Sequence, residues 1–176
     1  MWTWRSCWER FENSVTPALE AISWEQCRAD FEPDGALRDI YVLRANRELW
    51  AKLFDRLRGA YDLSFSVDGI VRTLPASVEE VFALRPAGSP LLNFDVGSID
   101  VACHFFDPAQ IEFDILPNQV RSQSDLNELL QFLTLVGNAV GDTVVLTPEN
   151  RELEPIITYI PQTKSFLYHK RLNAVR

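Results

Sequence analysis

The stretch LLNFDVGSIDVACHFFDPAQIEFDI, residues 91–115, alternates apolar and polar side chains over three runs, broken by Gly97-Ser98 and by Asp107-Pro108-Ala109-Gln110. A period of two means strands with one apolar and one polar face, and short turn-forming breaks make neighbouring strands antiparallel. The stretch therefore reads as a meander of Leu91 to Val96, Ile99 to Phe106 and Ile111 to Ile115. With Gly97-Ser98 as a two-residue turn, Val96 faces Ile99, Asp95 faces Asp100 and Phe94 faces Val101. If Phe105 pairs with Ile111, Cys103 meets Phe113, His104 meets Glu112 and Ala102 meets Asp114. One face then carries Phe94, Val96, Val101, Cys103, Phe105, Ile111, Phe113 and Ile115; the other displays Asp95, Asp100, His104, Glu112 and Asp114.

Working outward, Leu37 to Leu43 reads as the first strand. Asn46 caps a helix bearing Leu49, Trp50, Leu53, Phe54 and Leu57 on one side, with Gly59 expected just beyond its end. Leu63, Phe65 and Val67 alternate up to Asp68-Gly69, a hairpin signal, and the chain returns from Ile70 to Leu74. Ser77 with Glu80 opens a short helix. Ser122 or Ser124 opens a long one carrying Leu126, Leu129, Leu130, Phe132, Leu133, Val136 and Val140, with Gly141 as its stop. Thr143 to Leu146, Pro155 to Ile160 and Phe166 to His169 read as further strands. The N-terminal segment, about 1–31, is helical: Trp4, Cys7, Trp8, Phe11 and Val15 place a helix over 2–14, Pro17 suits the first turn of a second, and Ser23 with Gln26 marks a third. Adjoining hairpins, in place of regular strand-helix-strand alternation, predict a single α+β domain over 1–176. Its architecture is one mainly antiparallel sheet, helices packed on one face and the other face free to meet solvent or a partner.

A chain of 176 residues, 47% of them hydrophobic, can bury a core without help from a metal or disulfide. Lys and Arg number 17 against 25 Asp and Glu, a net charge of -8 that opposes binding to a phosphate backbone, so no nucleic-acid partner is expected. The charge is uneven: Asp95, Asp100, Asp107, Glu112, Asp114, Asp125 and Glu128 stand against the single base Arg121 between Leu91 and Glu128. Cys7, Cys27 and Cys103 lack CxxC spacing, which points to reduced thiols rather than a zinc site or disulfide framework. Arg5, Glu9 and Arg10 interrupt the N-terminus before any long apolar run, and no later window has the length of a membrane span. A cytoplasmic protein without membrane contact is the expectation.

No Gly-x-Ser-x-Gly, P-loop or GxGxxG pattern occurs, so no cofactor is expected, and Cys103 and His104, adjacent on a strand, point to opposite faces. The carboxylate and histidine face has three readings: a solvated sheet surface, a docking surface for a basic protein, or a metal or acid/base site serving a small metal-dependent enzyme. Opposed aspartates cost a few tenths of a kcal/mol, which a cationic partner relieves. Glu149, Glu152 and Glu154, in the loop from Thr147, form a second acidic rim for the same partner. Trp2, Trp4, Trp8 and Phe11 read as core or as the contact of a homodimer, which leaves a self-associating structural subunit as another alternative.

A small, acidic, tryptophan-bearing α+β chain without a catalytic motif resembles the immunity proteins that neutralise toxins in bacterial competition systems. The resemblance is one of type and carries over no family residue. It implies a non-catalytic inhibitor whose carboxylates, held on a rigid sheet, occlude the basic cleft of a toxin and speed encounter by electrostatic steering.

Overall fold

The computed structural model describes residues 22–170; the helices expected over 2–14 and from Pro17 lie outside the described residues. Among the described residues nine strands form one sheet: β1 (Arg38–Val42), β2 (Ser64–Val67), β3 (Ile70–Arg72), β4 (Pro90–Val96), β5 (Ile99–His104), β6 (Ile111–Ile115), β7 (Val144–Pro148), β8 (Ile157–Ile160) and β9 (Ser165–Tyr168). Their order is β3-β2-β4-β5-β6-β1-β7-β8-β9, and every neighbouring pair runs antiparallel. Four helices, α1 (Trp24–Cys27), α2 (Arg47–Ala60), α3 (Val78–Ala83) and α4 (Gln123–Val140), pack on one face. The fold is α+β, as the hairpin pattern predicts.

The meander has the register read from its sequence. Asp95 pairs with Asp100 and Phe94 with Val101, while Ala102 meets Asp114, Cys103 meets Phe113 and His104 meets Glu112. The eight apolar side chains assigned to the helix-covered face are all buried, in one core that also takes Trp50, Leu53, Phe54 and Leu57 of α2 and Leu129, Phe132, Leu133 and Val136 of α4. Aromatic edges order this core: Phe132 meets Phe113 at 5.2 Å and 84°, and Trp50 stacks on Phe105 at 5.1 Å.

Local signals set the helix ends. Asn46 Oδ1 accepts from Leu49 N at 2.9 Å, and Ser122 Oγ accepts from Asp125 N at 3.2 Å. Gly141 takes the left-handed conformation (φ 70°) that ends α4. Gly59 is not a stop: α2 continues through it to Ala60, and the extended Tyr61 closes the helix by donating its N–H to Leu57. The Asp68-Gly69 turn has φ of 51° and 76°, the pair of positive values a two-residue hairpin requires.

The order of elements along the chain does not reveal where β1 lies. It is inserted between β6 and β7, so α4 carries the chain across it, and all five of its residues are buried. Arg38, on the helix side, is gripped by the preceding segment: its guanidinium donates to Asp30 O at 2.7 Å, Leu37 O at 3.0 Å and the Asp34 carboxylate at 3.1 Å.

Two glycines separate packing from helix propensity. A Cβ on Gly137 in α4 would sit 2.6 Å from the Tyr159 ring and 3.2 Å from Val144, whereas one on the exposed Gly59 in α2 meets nothing within 4 Å. Gly137→Ala is expected to destabilise by about 1–3 kcal/mol through overpacking. Gly59→Ala should instead stabilise by about 0.5–1 kcal/mol. Urea unfolding of the two variants checks both signs.

Candidate functional site

Registers across the sheet define the face opposite the helices. One row runs Leu91, His104, Glu112, Tyr41 and Val145, and the next runs Asn93, Ala102, Asp114, Asp39 and Thr147. Of the residues expected here, Asp95 and Asp100 are exposed at the end near the Gly97 turn, while His104, Glu112 and Asp114 are half-buried. The expectation that this face stands free of cover is therefore corrected. At its centre Asp39 and Tyr41 are 3% and 2% exposed, although they point away from the helices.

The cover comes from the connection between β7 and β8. Glu149 accepts from Leu37 N at 3.0 Å, just before β1; Asn150 donates its N–H to Asp39 Oδ2 at 2.7 Å; and Gln110, just before β6, donates to Glu152 at 3.1 Å. Because Leu37 and Gln110 lie toward opposite ends of β1, the segment runs lengthwise along that strand as a strap. Asn150 makes the turn at φ 56°, a conformation that asparagine tolerates. Glu154 stays at the exposed margin, paired with Arg151 at 3.0 Å.

Under the strap the carboxylates are crowded. Asp39 lies directly opposite Asp114, and Tyr41 opposite Glu112. Tyr41 donates its hydroxyl to Asp39 Oδ2 at 2.8 Å, and His104 Nε2 reaches diagonally to Asp114 Oδ2 at 2.5 Å. Burial pushes the Asp39 carboxyl above the ordinary range, and the charges of Asp114 and Glu149 add to this against the hydrogen bonds from Asn150 and Tyr41. Burial likewise raises Glu112, reinforced by Asp39, Asp114 and Glu152 and opposed by His104. Tyr41 is held un-ionised by burial and by its bond to Asp39. At the exposed end, Gln119 bridges Asp100 with both ends of its amide, donating to the carboxylate at 2.5 Å and accepting from the backbone N–H at 3.0 Å.

Sequence reasoning missed Asp39 and Tyr41, absorbed into a strand whose neighbours were unknown, and Phe106. In the sequence, Phe105 followed directly by Phe106 does carry a signal, because adjacent strand residues alternate and only one of the two can enter the core. Phe106 is 54% exposed and stacks on His104 at 4.8 Å and 10°, with the Arg85 guanidinium 5.7 Å from its ring. Cys103 is core, as expected, with its thiol raised by burial. Among the described residues no three His, Cys, Asp or Glu side chains are grouped to hold a metal ion, and no helix is long and apolar enough to cross a membrane.

The raised Glu112 carboxyl has a measurable consequence. A carboxyl whose pKa rises on folding stabilises the fold below its unfolded value and loses that contribution as pH climbs through the folded value. Glu112→Gln is expected to raise stability by about 0.5–1 kcal/mol at neutral pH, by removing a half-buried charge from among like charges. The gain should vanish as pH falls to about 4, where the native carboxyl is itself protonated. Urea unfolding at the two pH values checks it.

No family model, no curated protein and no solved structure matches the chain.

Proposed function

We propose that this chain is a non-catalytic binding protein that docks the acidic face of its sheet on a basic partner protein, in the manner of an immunity-type inhibitor. The observation that carries the reading is the placement of Asp95, Asp100, His104, Glu112 and Asp114 on the sheet face that the helices leave uncovered, with Glu149 and Glu152 of the strap beside them. Like charges directly opposed on a sheet destabilise the free protein slightly, and a cationic surface relieves that repulsion while steering encounter. Phe106 gives the same face an exposed aromatic anchor of the kind that concentrates binding energy at protein interfaces. A cytoplasmic setting suits reduced thiols at the buried Cys27 and Cys103.

Capture from the native cell on immobilised protein, followed by association kinetics with the captured partner, tests the reading. Reversing Asp95, Asp100 and Glu112 to Lys is expected to slow association at least about tenfold and to flatten its salt dependence. Phe106→Ala should speed dissociation, with a loss of about 1–2 kcal/mol in affinity. Partner binding unchanged by the three reversals, in variants that remain folded by circular dichroism, refutes the docking face. A turnover dependent on Mg²⁺, Mn²⁺, Ca²⁺ or Zn²⁺ and abolished by alanine at these positions establishes the enzyme reading in its place.

A further inference from the structure

Besides the backbone bonds at its margins, from Arg151 N–H to Pro148 O and from Ile156 N–H to Leu146 O, the β7–β8 connection reaches across toward β1 and β6 by three hydrogen bonds that differ in kind. At its ends, strap carboxylates accept from the sheet side, Glu149 from Leu37 N and Glu152 from the Gln110 amide. In the middle the direction reverses: the strap donates, through Asn150 N–H, to a carboxylate of the sheet, Asp39. That middle contact puts the strap on a group whose charge is poorly tolerated where it stands. Among the described residues, the ionisable neighbours that face it are acidic or committed elsewhere. From β6 come Asp114, directly opposite, and Glu112; from the strap itself comes Glu149, while the strap's Arg151 is paired with Glu154 at the exposed margin; on β1 the neighbour is the Tyr41 phenol. His104 on β5 is engaged by Asp114, β7 offers the uncharged Thr147, and Arg38 projects to the opposite face with its guanidinium occupied by Asp34 and by backbone carbonyls.

We propose that the segment from Glu149 to Pro155 is a proton-controlled cover, closed over Asp39 and Tyr41 when the Asp39 carboxyl holds a proton and lifting as that proton is lost. A protonated Asp39 still serves the strap, because both hydrogen bonds arrive on Oδ2 and the proton can reside on Oδ1. An ionised Asp39 gains water and distance from Glu149 once the strap lifts, and the water admitted screens it from Asp114, which stays opposite on β6. The elevated position of the closed-state carboxyl agrees with this direction. By linkage, strap opening rises with pH from the ordinary carboxylate range up to the closed-state value and levels off above it. Leu153, 87% exposed at the strap's outer side, adds no apolar contact to resist lifting. Only the consequence for docking rests on the proposed function: a lifted strap adds Asp39 to the acidic face, so a basic partner selects the open form.

Hydrogen exchange of the Asn150 amide in the free protein, corrected for the intrinsic pH dependence of exchange, tests the cover without a partner. Protection is expected to fall as pH rises from about 4 to about 7, by at most about tenfold per unit for a single proton. Asp39→Asn, which keeps an acceptor and removes the charge, should abolish that dependence and leave Asn150 protected throughout. Asp114→Asn, which removes the opposed charge, should shrink the total change in an otherwise intact sheet. Protection that is constant or rises with pH overturns the proposal, as does a fall shared by the β-ladder amides of Val144 and Tyr159, which signals global unfolding. Failure here leaves the docking face standing, and failure of the three lysine reversals to affect a partner leaves the cover standing.

Discussion

The structure depends on burying an ionisable strand at the centre of a sheet. β1 sits between β6 and β7 with all five residues out of solvent, two of them Arg38 and Asp39. A charge taken from water is costly unless hydrogen bonds and counter-charges replace what is lost. The two faces of the strand meet that requirement differently. On the helix side Arg38 organises the segment before it, collecting carbonyls of Asp30, Glu32, Ala36 and Leu37 and the Asp34 carboxylate, so the N-terminal part of the described chain is moulded around one guanidinium. On the other side Asp39 receives two hydrogen bonds and, among the described residues, no ion pair, and the charges of Asp114 and Glu149 that act on it are of its own sign.

That asymmetry explains why a face that helices leave bare is nevertheless covered at its middle and open at its end. Near the Gly97 turn, Asp95 and Asp100 face water and Gln119 alone bridges one of them, so repulsion there is screened. Toward β1 the same arrangement of opposed carboxylates is progressively buried, screening fails, and a segment of backbone closes the surface by offering an N–H where a charge would be expected.

The register of the meander is legible in the sequence, down to the pairing of Asp95 with Asp100 and His104 with Glu112, because strict alternation and a two-residue turn leave one register; the end of its second strand is not, since β5 stops at His104 where the alternation runs on to Phe106. The caps at Asn46 and Ser122 were legible for the same local reason. Gly59 misled because a glycine facing open space on a helix carries no conformational demand. Asp39 and Tyr41 were illegible as site residues for a deeper reason: their chemistry follows from β1 lying beside β6, a pairing of residues more than seventy apart that no local pattern encodes. Composition shows the strap as an acidic rim, but two of its carboxylates are turned inward on Leu37 N and the Gln110 amide, and the bond to Asp39 comes from the Asn150 backbone N–H, a donor that leaves no trace in composition.

The most direct measurement is a carbon-13 NMR titration of the side-chain carboxyls in the free protein. The expected result is Asp39 and Glu112 titrating above the ordinary carboxylate range and Asp34, bonded to Arg38, below it. Asp39 titrating at or below the ordinary range would mean that the centre of this face accommodates its charge, contradicting both the crowded acidic centre and the cover built on it.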